Sequence, residues 1–324
     1  MIKCLMALAG IIVLATAAAF GAAAEVNSTH PVGFQLVAVP DQRGAPLSVG
    51  IWYPTTAAPE PRRVGLVVQH VASEGPIAGT RLPLVVISHG NQGAVGSHAD
   101  TAMALADAGF VVAAPVHTGD NFADQSAVGS PNWFVGRARD VTMVIDYMVQ
   151  SWPAHSQVDA NRIGLFGFSA GGTTALIAVG GELDLAGLSA RCAMVQEFAC
   201  TLWKPSEVAP GAPIHDQRIK AAVIAAPGYG FAFLPDGVKN IAVPVQLWNG
   251  QADTNVPAAT NAAPLRDALG SKVEYHLVPG AQHFSFIVPC TGPPICNDTA
   301  DFNRTIFHKT FNESLVRFFK EKLG

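Results

Sequence analysis

The residues Gly167-Phe168-Ser169-Ala170-Gly171 follow a short apolar run, Ile163 to Phe166, and lead into small residues with helix-compatible spacing, Gly172 to Val179. Strand, sharp turn and helix is the setting in which Gly-x-Ser-x-Gly holds a nucleophilic serine with its Oγ exposed. Glycine suits both flanks, because a Cβ there would collide with the adjoining strand or helix. A serine hydroxyl is a weak nucleophile until a base takes its proton, so chemistry at Ser169 requires a histidine and an acid. His283 follows the run Val273 to Val278 by a tight Pro279-Gly280 turn. A neutral imidazole carried there can accept a proton near neutral pH. The acid should lie between the two in chain order. Asp253, in Trp248-Asn249-Gly250-Gln251-Ala252-Asp253, meets that requirement and would hold the His283 tautomer; Asp236, behind an earlier run, is the competitor.

An oxyanion needs two preorganised N–H donors. The amide of Ala170, next after the serine, is one. The second is expected from the loop after Leu84 to Ile87, where His89-Gly90-Asn91 offers the amide of Asn91, with Gly90 turning the backbone inward. His89 reads as a hydrogen-bonding brace for that loop. Phe168, Trp133 and Trp248 are the aromatic side chains expected to touch substrate. They belong to a wider set, with Phe134 and Phe231, most of which is core.

The elements that would position these residues alternate in type. An antiparallel hairpin is expected from Phe34 to Val39 and Leu47 to Tyr53. Buried strands are expected at Leu84 to Ile87, Phe110 to Ala114, Ile163 to Phe166, Ile219 to Ala225, Val243 to Trp248 and Val273 to Val278. Between them run helical patterns at Ala99 to Ala108, Val135 to Val149 and Ala259 to Leu269, and Thr305 to Lys322 closes the chain. This is an α/β pattern: a mainly parallel central sheet with helices on both faces. Ser169, Asn91, Asp253 and His283 all fall at strand C-termini, the edge where such sheets carry their sites. Residues 182–216 break the pattern and read as a small lid-like insertion or a disulfide-held surface loop.

Of the 324 residues, 49% are hydrophobic and 14% charged, and the net charge is −4. That composition supports one large core and supplies no basic stripe for nucleic acid. Met1-Ile2-Lys3, the apolar run Leu5 to Ala19 and Ala22-Ala23-Ala24 have the form of a secretory signal peptide over residues 1–24. Residues 25–324 are then expected to be a single domain, secreted or periplasmic, without a stable membrane anchor. Cys192, Cys200, Cys290 and Cys296 remain after Cys4 is removed, and an even number in an exported chain points to disulfides. Three pairings are possible, of which Cys192–Cys200 and Cys290–Cys296 close the shortest loops. A zinc site is the weaker reading, since no Cys-x-x-Cys pair is present.

Taken together, Ser88-His89-Gly90-Asn91-Gln92-Gly93, Gly167 to Gly172, Gly250 to Pro257 and Gly280 to Phe286 resemble the α/β-hydrolase superfamily. The chain resembles in particular the exported "predicted dienelactone hydrolase" group, which is related to platelet-activating-factor acetylhydrolases. The likeness extends from about Phe34 to the C-terminus and includes Gly136-Arg137-Ala138-Arg139-Asp140. Dienelactone hydrolases proper use a cysteine nucleophile, so Ser169 departs from them and argues for ordinary ester hydrolysis. The acetylhydrolases take their acid from the loop after an earlier strand, which keeps Asp236 in contention. The resemblance implies a serine esterase acting on a small-molecule or lipid-like ester through an acyl-enzyme, with no metal and no organic cofactor. Lipid deacetylation, polyester or amide hydrolysis, and a non-catalytic binding protein of this fold are the alternatives.

Overall fold

A computed structural model of the chain describes residues 23–42, 44–206, 214–233 and 236–324. Most of the expected signal peptide, Cys4 and part of the 182–216 insertion lie outside the described residues. The chain enters through a short strand, β1 (Ala24–Val26), then the hairpin β2 (Val32–Val39) and β3 (Leu47–Pro54). A second hairpin follows, β4 (Glu60–Val64) and β5 (Val67–Ser73). Sequence patterning passes over this pair, because β4 reads Glu-Pro-Arg-Arg-Val and is largely exposed. A polar strand at a sheet margin has no apolar alternation to reveal it.

From there, strand and helix alternate. β6 (Leu82–Ser88), α1 (Ala99–Asp107), β7 (Val111–Pro115) and α2 (Pro131–Asp146) come first. β8 (Val158–Phe168) and α3 (Ala170–Ala178) meet at Ser169. Two short helices, α4 (Leu185–Cys192) and α5 (Phe198–Leu202), occupy the irregular region. β9 (Ile219–Ala225), β10 (Val245–Gly250), α6 (Ala262–Leu269), β11 (Val273–Val278) and α7 (Arg304–Leu323) complete the order. Helix α2 begins four residues before the apolar periodicity suggests. Ser130 caps it by accepting the Trp133 amide at 3.2 Å, and Pro131 occupies the first turn. A serine followed by proline is a start signal legible in the sequence.

All eleven strands join one sheet, ordered β1-β5-β2-β3-β7-β6-β8-β9-β10-β11 with β4 on β5. Strands β6 to β11, in the spatial order β7-β6-β8-β9-β10-β11, are mutually parallel, while β3 runs antiparallel to both β2 and β7. Alternate residues of each parallel strand enter different cores. Leu84 and Val86 pack with Val141, Val144, Ala175 and Leu265 from α2, α3 and α6. Val85 and Ile87 pack with Ala102, Met103, Phe311 and Leu315 from α1 and α7. Strands buried on both faces must be apolar throughout, which is why they stand out in the sequence.

Candidate active site

The bend at Ser169 has φ 54° and ψ −117°, a backbone region that residues with a Cβ rarely occupy. Such a conformation costs about 1–3 kcal/mol and persists only where its surroundings over-determine it. Here the Ser169 amide donates to Ala225 at 2.9 Å, and its carbonyl accepts from Gly172 at 2.8 Å and Gly228 at 3.2 Å. A Cβ on Gly167 would stand 2.1 Å from the Gly171 carbonyl oxygen, and one on Gly171 would stand 1.9 Å from that of Ser88. Only glycine lets β6, β8 and α3 approach closely enough to hold the bend.

Above the bend, His283 Nε2 lies 2.9 Å from Ser169 Oγ, and His283 Nδ1 lies 2.8 Å from Asp253 Oδ2. The other Asp253 oxygen accepts the amides of Asn255 and Val256, each at 2.9 Å. With the carboxylate fully buried and fed by donors, Nδ1 carries the ring proton and Nε2 is left to accept from serine. The loops bearing acid and base are stitched together, Gln251 donating to Val278 and Ala252 to Ala281. Asp236 lies elsewhere, exposed in a turn whose carbonyl accepts the Lys239 amide.

A second clamp acts behind the base. His308 on α7 places Nε2 2.9 Å from the Ser285 carbonyl and Nδ1 2.6 Å from Asp100 Oδ2. Both partners are acceptor oxygens, so the ring is held between them. Burial raises the Asp100 pKa, but the His308 charge and its hydrogen bonds outweigh burial and bring it below the usual carboxylate value. The His283 loop is thus tied to α7 two residues beyond the base.

The loop after β6 packs on the other side of the bend. Gly90 packs against the elbow, where a Cβ would meet Phe168 at 2.9 Å and Ser169 Cβ at 3.3 Å. The inward turn expected of Gly90 is corrected: the positive φ, 61°, falls on Gln92, and glycine is needed at 90 for close approach. Asn91 donates its side-chain Nδ2 to Asp120 Oδ1 at 2.7 Å, which draws the carboxamide inward and leaves the main-chain amide as its available donor. Ala170 contributes the first amide of α3, where the helix dipole also favours negative charge.

His89 behaves as the brace expected, with Nδ1 2.6 Å from the Gly90 carbonyl and Nε2 accepting the His117 amide at 3.1 Å. Burial, then the Arg137 charge, pushes its pKa well below 6.5, and the same two causes act on His117. Burial takes His98, edge-on to Phe166 and Phe168, down to about 3. Three histidines are therefore neutral in the fold but titrate near 6.5 once unfolded. Stability is complete above that value and is lost as pH falls from about 6.5 toward the folded values, because only the unfolded chain takes up these protons. Three groups give a slope of about 4 kcal/mol per pH unit below pH 6. Urea midpoints should therefore fall steeply between pH 7 and 5; a flat profile there would refute the neutral assignments.

The three aromatics expected to contact substrate are corrected, since the structure puts all of them in the core. Trp133 is 2% exposed and gives its indole N–H to Asp120 at 2.6 Å. Phe168 lies beneath His283, at 4.9 Å between ring centroids. Trp248 stacks on His276 at 3.9 Å and faces Phe311 of α7. Exposed apolar side chains come instead at Phe284, which follows His283 in the chain, and Phe122, whose amide donates to Gly93. Their positions in the chain, following His283 and Asp120, were the available signal.

Helices α4 and α5 are joined by the Cys192–Cys200 disulfide, and a second bond links Cys290 to Cys296. All four cysteines are used, which removes the zinc reading. Leu188 and Ala199 pack with Trp133, Phe134, Ala170 and Tyr229, so the described part of the insertion forms a wall beside Ala170. Tyr229 Oη donates to the Ala199 carbonyl at 2.6 Å, and Glu197 accepts from Thr260 Oγ1 at 3.2 Å.

Comparison with known proteins gives a partial family match and a fold. Residues 69–188 match the model of the Dienelactone hydrolase family. A ferulic acid esterase from Streptomyces cinnamoneus superposes with a TM-score of 0.63 at 19% identity, covering 92% of this chain and 93% of that one. This is an α/β-hydrolase fold. No protein among the curated sequences compared matches the chain. The two disulfides are compatible with a secreted or periplasmic protein, and among the described residues no helix is long and apolar enough to cross a membrane.

Proposed function

We propose that the protein is an exported, single-domain serine hydrolase of carboxylic esters, with Ser169 as nucleophile, His283 as base and Asp253 as the acid that orients it. The observation that carries this reading is the unbroken hydrogen-bond line from Asp253 through His283 to a serine on a strained, strand-end bend. Ser169 Oγ attacks the ester carbonyl while His283 Nε2 takes its proton. Negative charge gathers on the carbonyl oxygen, and the amides of Ala170 and Asn91 receive it. The imidazolium, stabilised by Asp253, then gives the proton to the departing alcohol, leaving an acyl-serine. Water activated by His283 hydrolyses that intermediate and restores the serine hydroxyl.

The substrate is read as a small-molecule or lipid-like ester, and the exposed Phe122 and Phe284 favour an apolar group beside the reacting carbonyl. A series of p-nitrophenyl esters from acetate to long acyl chains, with methyl ferulate as an aromatic-acyl member, tests this. Activity rising with chain length to an optimum would measure the apolar subsite, since each buried methylene contributes until the pocket is full. Absence of hydrolysis across the series would move the assignment to an amide or polymer substrate, or to a binding protein. A binding protein has no use for a base and acid aligned on a serine.

A further inference from the structure

Arg137 and Asp120 lie beneath the active site, 2% and 0% exposed, and form a buried ion pair at 2.6 Å. Exchange of such a pair for apolar residues of similar volume is often neutral or stabilising, so its presence calls for a role other than stability. Their remaining hydrogen bonds show where that role lies. Asp120 Oδ1 accepts the Gln92 amide at 3.0 Å and Asn91 Nδ2 at 2.7 Å. Asp120 Oδ2 accepts Trp133 Nε1 and Arg137, each at 2.6 Å. Arg137 in turn donates to the His89 carbonyl, to Ser88 Oγ at 3.2 Å and to Thr174 Oγ1 on α3 at 3.0 Å. Residues 89, 91 and 92 are therefore all held by one ion pair, which is also bonded to the helix that begins at Ala170.

Behind Arg137 the orientation is fixed further. His117 Nδ1 lies 3.0 Å from Asp140 Oδ2, and its Nε2 lies 2.9 Å from Ser88 Oγ. Nδ1 must donate to the carboxylate, so Nε2 accepts the Ser88 hydroxyl proton, and the Ser88 lone pairs are turned toward Arg137. Each group has one available role, and the line of donors and acceptors ends on the oxyanion loop.

We propose that Asp120 and Arg137 are positioning residues for the oxyanion hole, holding the His89–Gln92 turn so that the Asn91 amide faces the developing negative charge. The proposal rests on the serine-esterase reading above. It predicts an effect on transition-state stabilisation with little effect on ground-state binding. All four partners of Asp120 are donors, so an asparagine there must turn its NH2 toward two of them and lose those bonds in either orientation.

The test compares Asp120→Asn, Arg137→Lys and Asn91→Ala with Phe319→Leu. Phe319 is a core residue packed over Gly164 and Phe110 and supplies loss of stability alone. Wild-type turnover of a p-nitrophenyl ester, measured first, decides the esterase reading separately. Asp120→Asn and Arg137→Lys should lower kcat about 10²-fold, with KM changed less than about threefold. Inhibition by phenylboronic acid, whose tetrahedral adduct resembles the transition state, should weaken in parallel. Asn91→Ala, which removes one bond from a partly exposed loop, should lower kcat roughly tenfold without loss of fold. Phe319→Leu should lower the Tm and leave kcat unchanged. Amide hydrogen exchange needs no turnover and gives an independent readout. The Gln92 amide, slow in the wild type, should exchange faster in Asp120→Asn while the β6 amides do not. A kcat that follows Tm across all four variants, or unchanged Gln92 exchange in Asp120→Asn, would overturn the proposal.

Discussion

Ester hydrolysis should disappear when Ser169 is replaced by alanine, with kcat falling by roughly 10⁶-fold, the scale on which a triad nucleophile acts. The protein should stay folded. Alanine at 169 keeps the same backbone strain and the same four main-chain hydrogen bonds, with Ala225, Gly172, Thr173 and Gly228, since none involves Oγ. The side chain gives up one contact, to His283 Nε2. The Tm of Ser169→Ala should therefore lie within a few degrees of the wild type, so that loss of turnover reads as loss of chemistry. Both quantities are measured on the same preparation. Turnover that survived in a folded Ser169→Ala protein would place the nucleophile elsewhere.

Asp253→Asn should cost about 10⁴-fold in kcat, for a different reason. Asp253 Oδ1 accepts two backbone amides, from Asn255 and Val256. An asparagine must keep its oxygen on that side, which turns its NH2 toward His283 Nδ1. The imidazole then has to accept there, so its proton moves to Nε2 and faces Ser169 with no lone pair to offer. The residue is in place but in the wrong tautomer. Asp236→Asn, in an exposed turn, should retain full activity. Kinetics of the two variants side by side decide between the acids. A collapse in Asp236→Asn with Asp253→Asn intact would reverse the assignment.

Much of the fold was legible because its determinants are local. Strands β6 to β10 announce themselves as apolar runs, since both their faces are buried, and the elbow follows from two glycines around one serine. Asp253 and His283 follow from chain order and from their places after strands. Other features depend on distance in space. The edge strand β4 is mostly charged and proline-containing, so nothing in its pattern separates it from a loop. Asp120 and Arg137 belong to residue types usually found at the surface, and only the tertiary fold buries them. Trp133 and Trp248 are misread for the opposite reason: aromatic type marks a large apolar side chain but does not say whether a pocket or a core receives it.

Ser88, His117 and Asp140 repeat, in the interior, the order of hydrogen bonds found at Ser169, His283 and Asp253. By hydrogen-bond order and distance, then, the described residues hold two such arrays. They differ in access, because Ser88 and His117 are fully buried, and in backbone, because only Ser169 sits on a positive-φ bend. A covalent serine reagent converts that difference into stoichiometry. A fluorophosphonate should add one mass increment per folded chain, on the peptide bearing Ser169, and a second adduct on Ser88 would show that the interior array opens to solvent. On this reading, reactivity depends on where a serine–histidine pair is exposed, since the pairing itself is available in both places.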